Sequence, residues 1–497
     1  MKSLRLIFLL AILLTACAPV PSAPTALPTA PGAPDELAIY RQSLLPAHQR
    51  DLDQLDRPTR YDLTLQFDAA TPTLAGNQSV RYVNRQTTPL NEIYFRTFAN
   101  YPESGGKIIF TRVALDGALA PSSFEVESTA LRIPLTQPLA PGAITTIQLD
   151  WTITIPRDSK AHYADFGASD SITTLPTILP LIPAYDAHGW HIELPPAYGD
   201  LVYADMSLFA VTLTVPSKLN VIASGTTIET RDNRDGTATH RIVGAPMRDF
   251  DLNITEKMQK ASATVGAVTI NSWFDPNDAD AGKKALQFAT DAFKIFQTRI
   301  GAYPYRELDV IETPTTAGGI EYPGVIVIGR NLYRSERERQ FFEFATAHEV
   351  AHQWWYALVG NDQVNAPWQD EALTQYTTLI YYEDTQGAQA GQTILKQVFQ
   401  DVYDRAKKAG RDAIVGQPVR AFDERAYGEI VYGKGPLFFD ALRKKMGDDA
   451  FYKFLRTYFE RYRYKIATPE DLIKTAEEVA GQSLRAEYQD WILSAGK

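Results

Sequence analysis

His348, Glu349 and His352 stand in the run Ala347-His348-Glu349-Val350-Ala351-His352-Gln353-Trp354-Trp355, and their spacing is one that chemistry can use. On an α-helix, residues i and i+4 share a face, so the two imidazoles can present nitrogens to one metal ion. Glu349 lies one position further round. Its carboxylate cannot easily join the same coordination sphere, but it can reach a water beside the ion. A catalytic zinc site needs a third protein ligand and an open fourth position. Eighteen residues separate His352 from Glu371, in Trp368-Gln369-Asp370-Glu371, room for the end of one helix, a turn and the start of another. Two imidazoles and one carboxylate select zinc over calcium or magnesium, which prefer oxygen shells. The chain has seven histidines, and two of them are placed here.

These side chains need rigid carriers. The pattern predicts a first site helix from Glu336 to about Leu358, and Pro367 opens a second with Glu371 near its start. Upstream, Leu286, Phe293, Phe296 and Ile300 recur at helical spacing after the capping candidates Asp278 and Asp280. Leu308-Val310-Ile311 and Gly324 to Ile328 read as strands, with Gly318-Gly319-Ile320-Glu321 between them. Glycines let the backbone there approach a ligand closely, and an edge strand can pair with an extended peptide. Near the end, Gly447 closes a helix and Thr468-Pro469-Glu470-Asp471 opens another with an N-cap, an N1 proline and an N3 acid.

Before about residue 256 the period is two. Tyr61, Leu63, Leu65 and Phe67 alternate with polar residues, as do Ile147, Leu149, Trp151, Ile153 and Ile155, and Val211, Leu213 and Val215. Asp232-Asn233-Arg234-Asp235-Gly236 is a turn. A largely antiparallel β domain follows from many short strands with Gly and Pro between them. The whole is an α+β multidomain chain: residues 55–256 as the β domain and 257–497 as a mostly helical one. His162, His188 and His191 could form a second metal site in the β half, but loop or core histidines with ordinary hydrogen bonds are the plainer reading.

Residues 1–16 are a basic start and an apolar run, which make a secretory signal too short to remain as a transmembrane helix. Leu14-Thr15-Ala16-Cys17 resembles a bacterial lipobox, which implies cleavage before Cys17 and lipid on that residue. Cys17 is the only cysteine, so the mature chain has no internal disulfide. Residues 17–54 hold this cysteine, a linker with six prolines between 18 and 34, and a short helical lead-in. The expected location is extracytoplasmic, on a bacterial membrane. A net charge of −10, or −12 once Lys2 and Arg5 leave with the signal, makes nucleic acid a poor partner.

Three stretches together resemble the gluzincin zinc aminopeptidases typified by aminopeptidase N: Gly318 to Gly324, His348 to Glu371, and Tyr427 to Gly435. The resemblance implies a thermolysin-like catalytic domain, one zinc ion and peptide substrates. It implies that Glu349 is the general base, that Glu321 recognises the substrate amino terminus beside Gly319 and Ile320, and that the Tyr432 hydroxyl donates to the oxyanion. Tyr427 is a second candidate for that donor. Ile320 and Tyr322 replace the Met and Asn of the family loop. The family also implies an amine-holding residue in the β half, which no pattern locates, and a further helical lid domain for which this sequence leaves no room. The expected activity is removal of N-terminal amino acids. An internally cutting peptidase with the same zinc chemistry and a non-enzymatic peptide-binding lipoprotein remain open.

Overall fold

The computed structural model describes residues 35–496 apart from 103, 158–165, 170, 195, 197 and 201. The signal segment, Cys17, the linker prolines and His162 lie outside the described residues.

Alternation builds the first half as expected. An eight-stranded sheet runs in the order Thr226–Asp232, Thr237–Met247, Ser207–Pro216, Thr59–Asp68, Thr73–Val83, Ile144–Thr154, Lys107–Leu115 and Ala118–Leu119. Its pairs are antiparallel save one: Thr59–Asp68 runs parallel to Ser207–Pro216, with Leu63 opposite Val211. Tyr61, Leu63, Leu65 and Phe67 are all buried on one face. Trp151 lies flat over Gly76, where an added Cβ would come within 2.5 Å of the indole. Its N–H donates to Gln78 Oε1 at 3.1 Å. Smaller sheets of four, three and two strands complete this half among the described residues, and its last strand ends at Thr255.

A five-stranded sheet then begins, in the order Gln259–Val265, Val268–Phe274, Glu307–Thr313, Val325–Gly329 and Gly319–Ile320. Its three middle strands are parallel. Helix α1, Ala279–Arg299, makes the crossover between two of them and buries Phe293 and Phe296. The short α2, Arg330–Arg334, leads to α3, Arg339–Ala351, and then α4, Trp368–Gln386. Every residue of α4 from Trp368 to Tyr382 is buried, so it forms the axis of the helical half. Helices Gly435–Met446 and Asp448–Tyr462 follow, the first closing on Gly447. Thr468 and Asp471 form a reciprocal capping box at the next helix, Pro469–Ala480.

Two local expectations are corrected. The first site helix is shorter than Glu336 to Leu358: a 3₁₀ turn precedes Arg339, and the α-helix stops at Ala351 with His352 as its C-cap. The cause is tertiary. Trp354 donates to Gly301 O at 2.9 Å and Trp355 to Thr377 Oγ1 at 2.9 Å, and both indoles are fully buried against different neighbours. A continuing helix could not send adjacent side chains to both places, so the backbone turns, with Tyr356 at φ +110°. Asp278 also occupies the N-cap of α1 without capping it. It pairs instead with Arg334 at 2.8 Å, Asp275 caps the preceding turn, and Asp280 sits in the first turn of α1.

The turn after α3 is held by Arg248 from the β half. Its buried guanidinium donates to Tyr356 O at 2.8 Å, to Ala204 O at 3.2 Å, and to Leu358 O and Lys465 O. His191 makes a second connection. It lies 2.8 Å from Asp186 and 3.2 Å from Glu193, and Glu193 also accepts from Asn365 Nδ2 at 3.1 Å. Burial alone would depress this imidazole, but hydrogen bonds to Glu193 and Asp186 outweigh it and raise the pKa to about 9. Among the described residues neither His188 nor His191 belongs to a group able to hold a metal.

Replacing Arg248 by Met should strand several buried carbonyls and cost about 3 kcal/mol, read as a lower denaturant midpoint. His191, with its folded pKa raised from 6.5 to about 9, contributes stability that is complete below pH 6.5 and lost as pH rises through about 9. Unfolding at pH 6.5, 8 and 9.5 should show a step of about 2 kcal/mol that His191→Gln removes.

Candidate metal centre and active site

α3 delivers its two imidazoles as the spacing demands. His348 Nε2 and His352 Nε2 face each other at 3.0 Å, and each lies 3.3 Å from Glu371 Oε2 in the first turn of α4. All three residues are buried. His352 Nδ1 is 2.9 Å from the carbonyl of Trp355, so that nitrogen carries the proton and Nε2 presents a lone pair. The bend that shortens α3 therefore also orients its second ligand.

Two facing imidazole nitrogens and a carboxylate oxygen without a hydrogen-bond donor repel one another unless something positive lies between them. Ligand atoms about 2.0–2.1 Å from a tetrahedral zinc are separated by about 3.3 Å, the edge of that tetrahedron. The observed triangle of 3.0, 3.3 and 3.3 Å matches it. The donor set fits zinc.

Glu349 points from the same helix toward the edge strand Gly319–Ile320. It is buried, its Oε2 has no partner, and an added Cβ at Gly319 would lie 2.6 Å from its Oε1. Only glycine leaves room for this carboxylate. Burial holds the Glu349 carboxyl well above the usual range, with Glu321 and Glu371 adding to the rise. Among the described residues the edge strand pairs with Val325–Gly329 on one side only, and no strand pairs with its other backbone edge.

Glu321 is buried and accepts from Gln363 Nε2 at 2.8 Å, while the same amide reaches Asp370 Oδ2 at 2.9 Å. Its carboxylate oxygens come within 4.8 Å of those of Glu349 and of a His352 nitrogen. The side chains of Ile320 and Tyr322 turn away into a small apolar cluster with Ile311 and Val327. Ile320 therefore presents only its backbone at the open edge of the strand. Gln353 ties this loop to the turn after α3, accepting from Gly324 N at 2.9 Å and donating to Tyr322 O at 3.1 Å.

Tyr432 sits on a π-helical turn, Ile430–Lys434, and its ring is 6.1 Å from that of His348. Tyr427 meets Tyr432 edge-on at 5.6 Å. Its hydroxyl is fully buried, which pushes it well above the usual tyrosine range, with Glu371 and Asp200 adding. The arrangement places Tyr432 beside the histidines and Tyr427 behind it.

Asp200 is the residue that sequence reasoning missed. It comes from a loop of the β half and is buried at the edge of the same acidic hollow. Burial raises its carboxyl well above the usual range, and Glu321, Glu371 and Asp370 raise it further. Its neighbour Gly199 packs on Val419, and Tyr198 donates to Phe422 O at 2.6 Å. The one available signal was an aspartate beside a glycine in a proline-containing loop, and no spacing rule joins such a loop to a distant helix.

Known proteins resemble this chain in sequence and in fold. Aminopeptidase N of Streptomyces lividans is 24% identical over 306 residues, covering 58% of this chain and 35% of that protein. Aminopeptidase 2 of Candida albicans is 20% identical over 469 residues, covering 88% of this chain and 47% of its own length. The chain thus spans half or less of these relatives. An M1 zinc metallopeptidase from Deinococcus radiodurans shares the fold, with a TM-score of 0.62 at 20% identity over 88% of this chain and 94% of that one. Residues 278–491, which contain all three candidate zinc ligands and Glu349, match the Peptidase family M1 domain.

Proposed function

We propose that this protein is a zinc-dependent aminopeptidase that removes residues from the free amino terminus of peptides. The observation that carries it is the pairing of a tetrahedral ligand triangle with an unpartnered Glu349 beneath an open strand edge. His348, His352 and Glu371 would hold the zinc ion, which would supply Lewis-acid polarisation of the scissile carbonyl and lower the pKa of a nearby water. Glu349 takes a proton from the attacking water on its carboxylate and returns it to the leaving amine. The Tyr432 hydroxyl donates to the developing oxyanion, a role suited to a phenol that stays protonated near neutral pH. Glu321 and Asp200 hold the substrate ammonium in an acidic hollow, which favours a free amine over a blocked one. The backbone of Gly319 pairs with the substrate chain.

The reading extends to location. The apolar run before Cys17 supports secretion and lipid anchoring on a bacterial membrane, with the folded part outside the cytoplasm. Among the described residues no helix is long and apolar enough to cross a membrane.

Glu349→Gln should keep one equivalent of zinc by metal analysis and lose about a thousandfold in turnover. Retained activity refutes the assigned base, and a wild-type protein without stoichiometric zinc refutes the enzyme reading. An alanyl peptide should be cleaved and its N-acetylated twin left intact. Equal cleavage of both would make the enzyme an internally cutting peptidase.

A further inference from the structure

One face of α3 carries more than the site residues. Phe341, Ala345 and Glu349 fall at i, i+4 and i+8, so they line up along the helix beneath the edge strand. The strand and the bend that leads into it confirm this alignment from above. Glu349 packs under Gly319, while an added Cβ at Gly318 would lie 3.1 Å from Phe341 Cζ and 3.9 Å from Ala345 Cβ. At the opposite end, Glu321 reaches toward His352 and Gln363. The order along the cleft is therefore amine clamp, catalytic base, then Phe341.

That order sets a direction. With its ammonium at Glu321 and its first peptide bond over Glu349, a substrate runs opposite to the strand Gly319–Ile320 and continues past Gly318. One strand residue advances about 3.4 Å, so Gly318 and the Phe341 ring face the second residue beyond the cleaved bond, the P2′ position. Phe341 is 51% exposed, whereas its neighbours Phe342 and Phe344 are 3% and 6% exposed. Scattered exposed aromatics need no explanation, but this one stands at the end of the cleft where a substrate side chain would cover it.

We propose that Phe341 is a specificity-determining residue that forms an apolar P2′ subsite, so the preferred substrates are peptides of at least three residues with an apolar third residue. The proposal rests on the aminopeptidase reading. No covalent step is added; the gain comes from burying apolar surface on both partners.

The test measures kcat/KM for release of the first alanine from Ala-Ala-Phe, Ala-Ala-Leu, Ala-Ala-Gly and Ala-Ala-Lys by the whole protein. The wild type should favour Phe and Leu over Gly and Lys by about tenfold. In Phe341→Ser that ratio should fall toward one, and Phe341→Leu should restore most of it. The preference between Ala-Phe-Ala and Ala-Gly-Ala, which differ one position earlier, should be the same in wild type and Phe341→Ser. A flat P2′ profile in the wild type, or a ratio unchanged in Phe341→Ser, overturns the subsite. Failure to release alanine from any of these peptides or from alanyl-aminocoumarin overturns the aminopeptidase reading itself, a separate result.

Discussion

Three electron-rich atoms held within 3.3 Å of one another are the constraint that this structure is built to satisfy. Facing lone pairs of this kind repel unless a proton or a metal cation lies between them, so the surroundings must prevent the side chains from swinging apart. The carbonyl of Trp355 fixes one imidazole, and Thr374 Oγ1 lies 3.3 Å from the same nitrogen. Asn361 and Gln363 hold Asp370 beside Glu371, and Gln369 in the same turn donates to Tyr458 and to Ala467 O. Almost every side chain of the first turn of α4 is thus tethered in the interior, and the ligand it carries cannot drift.

The β half is part of that frame and not merely attached to it. Arg248 makes four donations to backbone carbonyls, three of them in the helical half, and Gly360 lies so close to its guanidinium that a side chain there would collide. The loop bearing Tyr198 and Asp200 reaches the same hollow from another direction. A carboxylate in the β half can serve a centre built in the helical half because these connections leave little freedom between them.

Legibility tracked the range of the forces involved. His348, Glu349 and His352 could be read because helix periodicity is local, and the alternating strands could be read for the same reason. Glu371 followed from the need for a third ligand. Glu321 and Tyr432 were legible only through a resemblance, since nothing in a loop glutamate or one of 25 tyrosines marks its role. The end of α3 was misjudged because two adjacent tryptophans are buried in different directions, a fact of tertiary packing. Asp200 and Phe341 stayed hidden for a related reason: one is an ordinary loop acid and the other an ordinary helix aromatic until the fold sets them beside the cleft. The parallel pairing of Thr59–Asp68 with Ser207–Pro216 joins segments far apart in the chain, beyond the reach of any local pattern.

The π-helical turn at Ile430–Lys434 has an implication for how this segment can vary. Such a turn holds one more residue than its α-helical equivalent, so it shifts the angular phase of everything on it. Each residue of a helix advances its side chain by about 100° around the axis. Losing a single residue here would restore regular winding, keep the helix intact and swing the Tyr432 ring off the histidines. Length in this segment is as constrained as identity, and a homologous chain with a one-residue gap at this point would keep the zinc ligands while aiming its phenol elsewhere.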